Sequence, residues 1–413
     1  MKKRKLTARI LALGICASLI LQTPVFAAEE NTAASAISTN SIEGWPQAAD
    51  ISSSAAVVME TSTKTTLYAK NMDQAFYPSA AVKIMTCLLA LENSELTEQV
   101  TMTETGISGI SDGSVNIASQ LGETFTMEQC LYAIMTASAN DISLQVAEHV
   151  GGSVDEFVKK MNARAKKLGC DDTVFTNPTG LPDENQHTTA HDMALIMRAA
   201  MKNDTFRTIL AAASYTIPAT NVSGGERVLT NKFTMIDSTS DAYYEGCLGG
   251  KEGYTQASGS TLVCAAEKNG MTLICVILNG ASGQTDNDAI AVLNYGFDNF
   301  SLLNLGDDDF SVISGGTVVV PNGTDAGSLT TKDTEKNDKT VRRYSFGGTS
   351  VGTAVVENVQ DETNTAAIDS QKNMEAAKQY SDTRTEIPYY VIGGTGLILL
   401  LLFLYLMIRV IKS

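Results

Sequence analysis

Three short stretches hold the side chains best suited to chemistry. The first is Tyr77-Pro78-Ser79-Ala80-Ala81-Val82-Lys83-Ile84-Met85-Thr86. The second is Ser138-Ala139-Asn140-Asp141, and the third is Gly249-Gly250-Lys251-Glu252-Gly253-Tyr254-Thr255. Together they offer hydroxyls, two amines, an amide and a carboxylate. Other chemistries are poorly served. The three histidines, His149, His187 and His191, have no metal-ligand spacing, so neither a metal nor another cofactor is expected. The seven cysteines contain no C-x-x-C pair. Each motif alone is weak, and the information lies in their order and separation.

In that order and at those spacings, the three motifs closely resemble the active-site triplet of the serine DD-peptidases, the penicillin-recognising enzymes. The nearest match is the D-alanyl-D-alanine carboxypeptidases, the low-molecular-mass penicillin-binding proteins. Asn177-Pro178-Thr179-Gly180-Leu181, His187-Thr188-Thr189-Ala190-His191-Asp192 and Asn294-Tyr295-Gly296-Phe297 add to the resemblance, which covers roughly residues 48–302. It implies a serine opening a helix, with a lysine one turn on that accepts its proton. It also implies that Ser138 and Asn140 carry that proton and bind the substrate amide. Lys251, Glu252, Gly253 and Tyr254 would stand where a Lys-Thr-Gly strand binds the substrate backbone and its terminal carboxylate. The backbone N–H groups of Ala80 and Tyr254 would form the oxyanion hole.

Two departures bear on activity. The residue three before Lys83 is Ala80, and a methyl group cannot attack a carbonyl. Ser79 lies one residue earlier, a rotation of about 100° and a rise of about 1.5 Å on a helix, so it is expected to miss the approach line and to act as the helix N-cap. Glu252 fills the threonine slot of the third motif. Two like charges at about 4 Å cost on the order of 4 kcal/mol at an effective dielectric near 20, so a terminal carboxylate is expected to bind poorly. Glu252 is also expected to pair with Lys251 or Lys83. The stretch from Ser282 to Asp288, where the family commonly carries a basic residue, has none.

These residues need elements to hold them. Ala55 to Glu60 and Thr66 to Ala69 read as paired strands around a polar turn. Helical patterns start near Ser79 and cover Met127 to Ala137, Asp141 to Val150, Val154 to Leu168 and Thr189 to Met201. Ser260 to Ala266 and Leu273 to Leu278 flank Asn269-Gly270, a strong hairpin signal, and Ala289 to Phe297 again looks helical. Strands at both ends with helices between imply an α/β layer structure, the first and last strands sharing one sheet. By resemblance this is the serine DD-peptidase/β-lactamase-like fold, an antiparallel sheet packed with helices plus a helical subdomain. Short strand-like runs after Leu305 suggest a small β-rich module.

The ends address the chain. Met-Lys-Lys-Arg-Lys, an apolar run and Val25-Phe26-Ala27 form a signal peptide cut after Ala27. Ile387 to Ile408 carries no charge and is long enough for a transmembrane helix, and Arg409 and Lys412 place the C-terminus in the cytoplasm. The expected organisation is 1–27 signal peptide, 28–46 linker, 47–303 DD-peptidase-like domain, 304–358 β-rich module, 359–386 polar stalk, 387–408 membrane helix and 409–413 tail. The formal charge of −16 argues against nucleic acid as a partner. Six cysteines survive processing, an even number that leaves disulfides open, although Cys87, Cys130, Cys264 and Cys275 lie in apolar runs that suit buried thiols. The expectation is an inactive carboxypeptidase homologue at the outer membrane face, binding peptidoglycan stem peptides or an envelope protein. An active enzyme using Ser79, and a scaffold or sensor working through the β-rich module, are the alternatives.

Overall fold

The computed structural model describes residues 37–109, 113–305, 312–337 and 339–357. The expected signal peptide, stalk and membrane helix lie outside the described residues. Among the described residues no helix is long and apolar enough to cross a membrane.

The elements run β1 (Ala55–Glu60), β2 (Thr66–Lys70), α1 (Val82–Asn93), β3 (Gln99–Thr101), α2 (Glu104–Ser108), β4 (Thr124–Thr126), α3 (Met127–Thr136), α4 (Asn140–Gly151), α5 (Val154–Leu168), α6 (Ala190–Ala200), α7 (Asp204–Leu210), β5 (Ser214–Ile217), β6 (Arg227–Thr230), β7 (Cys247–Thr255), β8 (Gly259–Lys268), β9 (Met271–Gly280) and α8 (Thr285–Asn299). Then follow β10 (Phe300–Asn304), β11 (Val312–Pro321), β12 (Thr330–Lys336), β13 (Lys339–Phe346) and β14 (Thr349–Val356).

The main sheet has the order β2-β1-β9-β8-β7, and each neighbouring pair is antiparallel. As expected, the first strand lies beside the last of this unit. β1, β8 and β9 are buried on both faces, which is why they read as continuous apolar runs rather than alternating ones. Ala55, Val57, Met59, Val263, Ala265, Ile274, Val276 and Leu278 face the helical side. Their neighbours Ala56, Val58, Leu262, Cys264, Leu273, Cys275 and Ile277 face α8. Each such Val, Leu or Ile contributes about 1.5–3 kcal/mol by leaving water, so the sheet is the rigid plate on which the site rests.

On the helical side, α1 is buried from Val82 through Ala90. A helix apolar nearly all round belongs in a core rather than on a surface, and Lys83 is the one charged residue in that buried run. On the opposite side, α8 lies against β8 and β9. A second sheet, β10-β11-β14-β13-β12, adds Val318, Val319, Val320, Val351 and Ala354 to the same core. It carries the β-rich stretch expected after Leu305. All six cysteines from Cys87 to Cys275 are free thiols, five of them buried, so the disulfide option falls.

α8 is pinned at its start by one carboxylate. Asp288, 8% exposed, accepts from the backbone N–H groups of Ser52 and Ser53 at 3.2 and 2.8 Å and from their hydroxyls at 2.8 and 2.6 Å. Asp288→Ala strands four donors and is expected to cost about 2–4 kcal/mol, read as a lower urea midpoint with unchanged slope.

Candidate active site

The site begins with Lys83. The side chain is 2% exposed. Its Nζ donates to Asn140 Oδ1 at 2.7 Å and to the carbonyl oxygen of Thr179. Burial, with the charge of Lys251 second, holds its pKa well below the usual lysine range. A neutral lysine amine has two N–H groups and one lone pair, so these two acceptors satisfy both donors and leave a base. A base of this kind can take a proton from a hydroxyl within hydrogen-bond reach.

Among the described residues no hydroxyl makes a hydrogen bond with Lys83 Nζ. The turn before α1 is a 3-10 segment, Ser79–Ala81. Ser79 has φ +50°, a left-handed conformation that costs a non-glycine residue about 1–3 kcal/mol. Two glycines crowd it. A Cβ on Gly180 would lie 1.9 Å from the Ser79 carbonyl oxygen, and one on Gly253 would lie 2.7 Å from both the Ala80 nitrogen and Ser79 Oγ. Gly253 must therefore be glycine for its strand to approach. Ala80, one helical turn before Lys83, lines the cleft with a methyl group. Ser79 is not the expected N-cap. It sits inside the 3-10 turn at positive φ, the α1 cap position is Ala81, and no side chain caps there. The Ser79 side chain is buried against Gly253, and Lys83 donates to Asn140 and Thr179 rather than to it.

The second motif turns sharply. Ser138 has φ +59°, after which α4 starts at Asn140. Asp141, 2% exposed, accepts from Ser119 Oγ at 2.7 Å and from the N–H groups of Ile117, Ser119 and Ile142. That network fixes the first turn of α4, and so fixes the amide oxygen that holds Lys83. The sequence quoted Asp141 but gave it no task.

The third motif lies on β7, an edge strand of the main sheet. Lys251 is 6% exposed, and burial pushes its pKa down to about 8, with Glu252 acting in the opposite sense. The expected ion pair is absent among the described residues. Lys251 Nζ donates to the backbone carbonyl of Glu252 at 3.0 Å instead, because consecutive strand residues point to opposite faces. Burial raises the Glu252 carboxyl pKa. Lys251 and Lys232 lower it, and Asp286 adds to the rise.

Ser79, Ala80, Lys83, Ser138, Asn140, Lys251, Glu252, Gly253 and Tyr254 all line one cavity of about 550 Å³. Sequence reasoning missed three of its other members. Thr179 lies in a stretch noted only for resemblance, while Lys232 and Asp286 carry no motif. The absence of a basic residue between 282 and 288 was the one signal at that end of the cleft.

Comparison with known proteins agrees with this geometry. The family model described as D-alanyl-D-alanine carboxypeptidase matches residues 42–282. D-alanyl-D-alanine carboxypeptidase DacF of Bacillus subtilis is 31% identical over 59% of this chain and 62% of its own length. The D-alanyl-D-alanine carboxypeptidase of Streptomyces sp. K15 is 32% identical over 58% and 85%. Among solved structures, the D-alanyl-D-alanine carboxypeptidase of Mycobacterium tuberculosis superposes with a TM-score of 0.56 at 28% identity, covering 62% of this chain and 95% of that one. Penicillin-binding protein 6B of Escherichia coli shares the fold over 77% and 98%, with a TM-score of 0.63 at 21% identity. The chain belongs to the D-alanyl-D-alanine carboxypeptidase family, with alanine at the position where the family resemblance places the nucleophilic serine.

The buried lysines make stability depend on pH. With a folded pKa near 8 against an ordinary value near 10.4, the unfolded state binds more protons between those values, so stability rises with pH across that window. Below pH 8 the full deficit, about 3 kcal/mol, is present. Lys251→Met is expected to raise the melting temperature by several degrees at pH 7 and by much less at pH 10, as differential scanning calorimetry at the two pH values would read.

Proposed function

We propose that this protein is a non-hydrolysing member of the carboxypeptidase family that captures peptidoglycan stem peptides in its cleft. Ala80 carries the reading. It places a methyl group one turn before Lys83, beside an intact turn, amine, amide and edge strand. An edge strand leaves one row of backbone N–H and C=O groups unpaired, and an extended peptide can add to it as a further strand. β7 is such an edge, and it borders the cleft. Without a nucleophile, binding does not proceed to an acyl-enzyme.

We infer the localisation from the sequence alone. Residues 1–27 direct export, and the apolar run 387–408 holds the body on the outer face of the cell membrane with the last residues in the cytoplasm.

Intact-mass analysis after incubation with a fluorescent penicillin tests the reading. The wild type is expected to stay unlabelled. Ala80→Ser combined with Glu252→Thr is expected to gain one penicilloyl adduct, lost again on adding Lys83→Ala. An adduct on the wild type that peptide mapping assigns to Ser79 would make the protein an acylating enzyme and end the proposal.

A further inference from the structure

A second cavity, of about 410 Å³, opens at the far end of β7 from the cleft. Thr61 from the turn after β1, Arg198 and Lys202 at and beyond the end of α6, Arg207 on α7 and Leu248 on β7 line it. The whole chain has a formal charge of −16, yet three cations line this one cavity. A fourth, Lys64, stands close enough that Arg198 and Lys202 add to the lowering of its pKa, which burial begins.

The two guanidinium groups are held in place. Arg198, half-buried, donates from Nε to the Thr61 carbonyl and from Nη2 to the Ser62 carbonyl at 3.4 Å. Arg207 donates from Nη1 to the Met201 carbonyl at 2.6 Å and pairs through Nη2 with Asp204. Each guanidinium has further N–H groups with no acceptor among the described residues. Lys64 and Lys202 have no acceptor there either. The nearby carboxylates are occupied elsewhere. Glu60, buried, takes the N–H and hydroxyl groups of Ser62 and Thr63. Glu267 lines the cavity but takes the Thr272 hydroxyl at 3.0 Å, and it makes no ion pair with these cations among the described residues. Like charges gathered in a concave place focus the field on an anion. A phosphate group suits this set better than a carboxylate does. It brings up to about two charges and three strong acceptor oxygens, and a guanidinium fork takes two oxygens at once.

We propose that the cavity between α6, α7 and the β8–β9 hairpin binds a phosphate monoester or diphosphate group, held by Arg198 and Arg207, with Lys202 and Lys64 at its rim. The site lies apart from Lys83 and Ala80 and asks nothing of the cleft. Because both guanidinium groups are already fixed by backbone carbonyls, little ordering is left for the ligand to impose.

Isothermal titration of the full-length protein with inorganic pyrophosphate, glycerol 3-phosphate and sodium acetate, at one ionic strength, tests this. At least one phosphate probe is expected to bind saturably at one site per chain, and the tighter of the two distinguishes diphosphate from monoester. Acetate is expected to give no saturable heat. Lys64→Ala combined with Lys202→Ala removes two exposed side chains at little cost to folding. It is expected to weaken phosphate binding about tenfold or more while leaving the melting temperature without ligand unchanged. If neither phosphate probe binds saturably, if acetate binds as tightly, or if the double variant keeps full affinity, the proposal falls.

Discussion

The site depends on taking one amine out of water. Lys83 is buried in a helix that is otherwise core, and an ammonium there would be poorly compensated. The structure answers with two oxygen acceptors from different parts of the chain, the Asn140 side chain and the Thr179 carbonyl. That one group therefore ties α1 to the start of α4 and to the loop at 177–181. The other constraints follow from it. Asp141 must fix the first turn of α4, Gly180 must let its loop approach the Ser79 carbonyl, and Gly253 must let β7 approach Ala80. Remove the demand for a desolvated amine and none of these close approaches has a purpose.

Family resemblance and departure thus act on different parts of the molecule. The expensive parts here are strained backbone at Ser79 and Ser138 and two buried lysines with lowered pKa values. The parts changed are side chains that face the cavity, Ala80 and Glu252. Cavity-facing side chains can change with little effect on packing, whereas a buried base cannot be left without acceptors. The cleft thus holds a buried amine with its acceptors beside a methyl group at position 80.

Much of this was legible in the sequence because the fold's core elements obey simple periods. β1, β8 and β9 announced themselves as apolar runs, the last two through Asn269-Gly270, and the longer helices did so through their 3.6-residue spacing, whereas the short α2 and α7 did not. β7 did not, because Gly249 and Gly250 interrupt it and Lys251 and Glu252 give it no apolar face of its own. Only the motif marked it. The role of Ser79 was misread for a specific reason. Serine before a helix signals an N-cap, but here tertiary contacts with Gly180 and Gly253 dictate a positive φ that no local rule contains. The Glu252 ion pair was misread because adjacent strand residues diverge. Asp286 was invisible because its importance comes from where α8 meets the sheet, which is set by Asp288 and two serines more than 200 residues earlier.

The turn at Ser79 has a genetic consequence. Its conformation is set by what lies around it, the Gly180 loop and the Gly253 strand, and not by the side chain at position 80. Whatever residue stands at 80 is therefore mounted in the same attitude, facing the same base. Alanine and serine codons are one base apart. A lineage carrying this chain can exchange the methyl group at 80 for a hydroxyl in a single step. The backbone at this turn thus fixes the attitude of residue 80 whichever residue stands there.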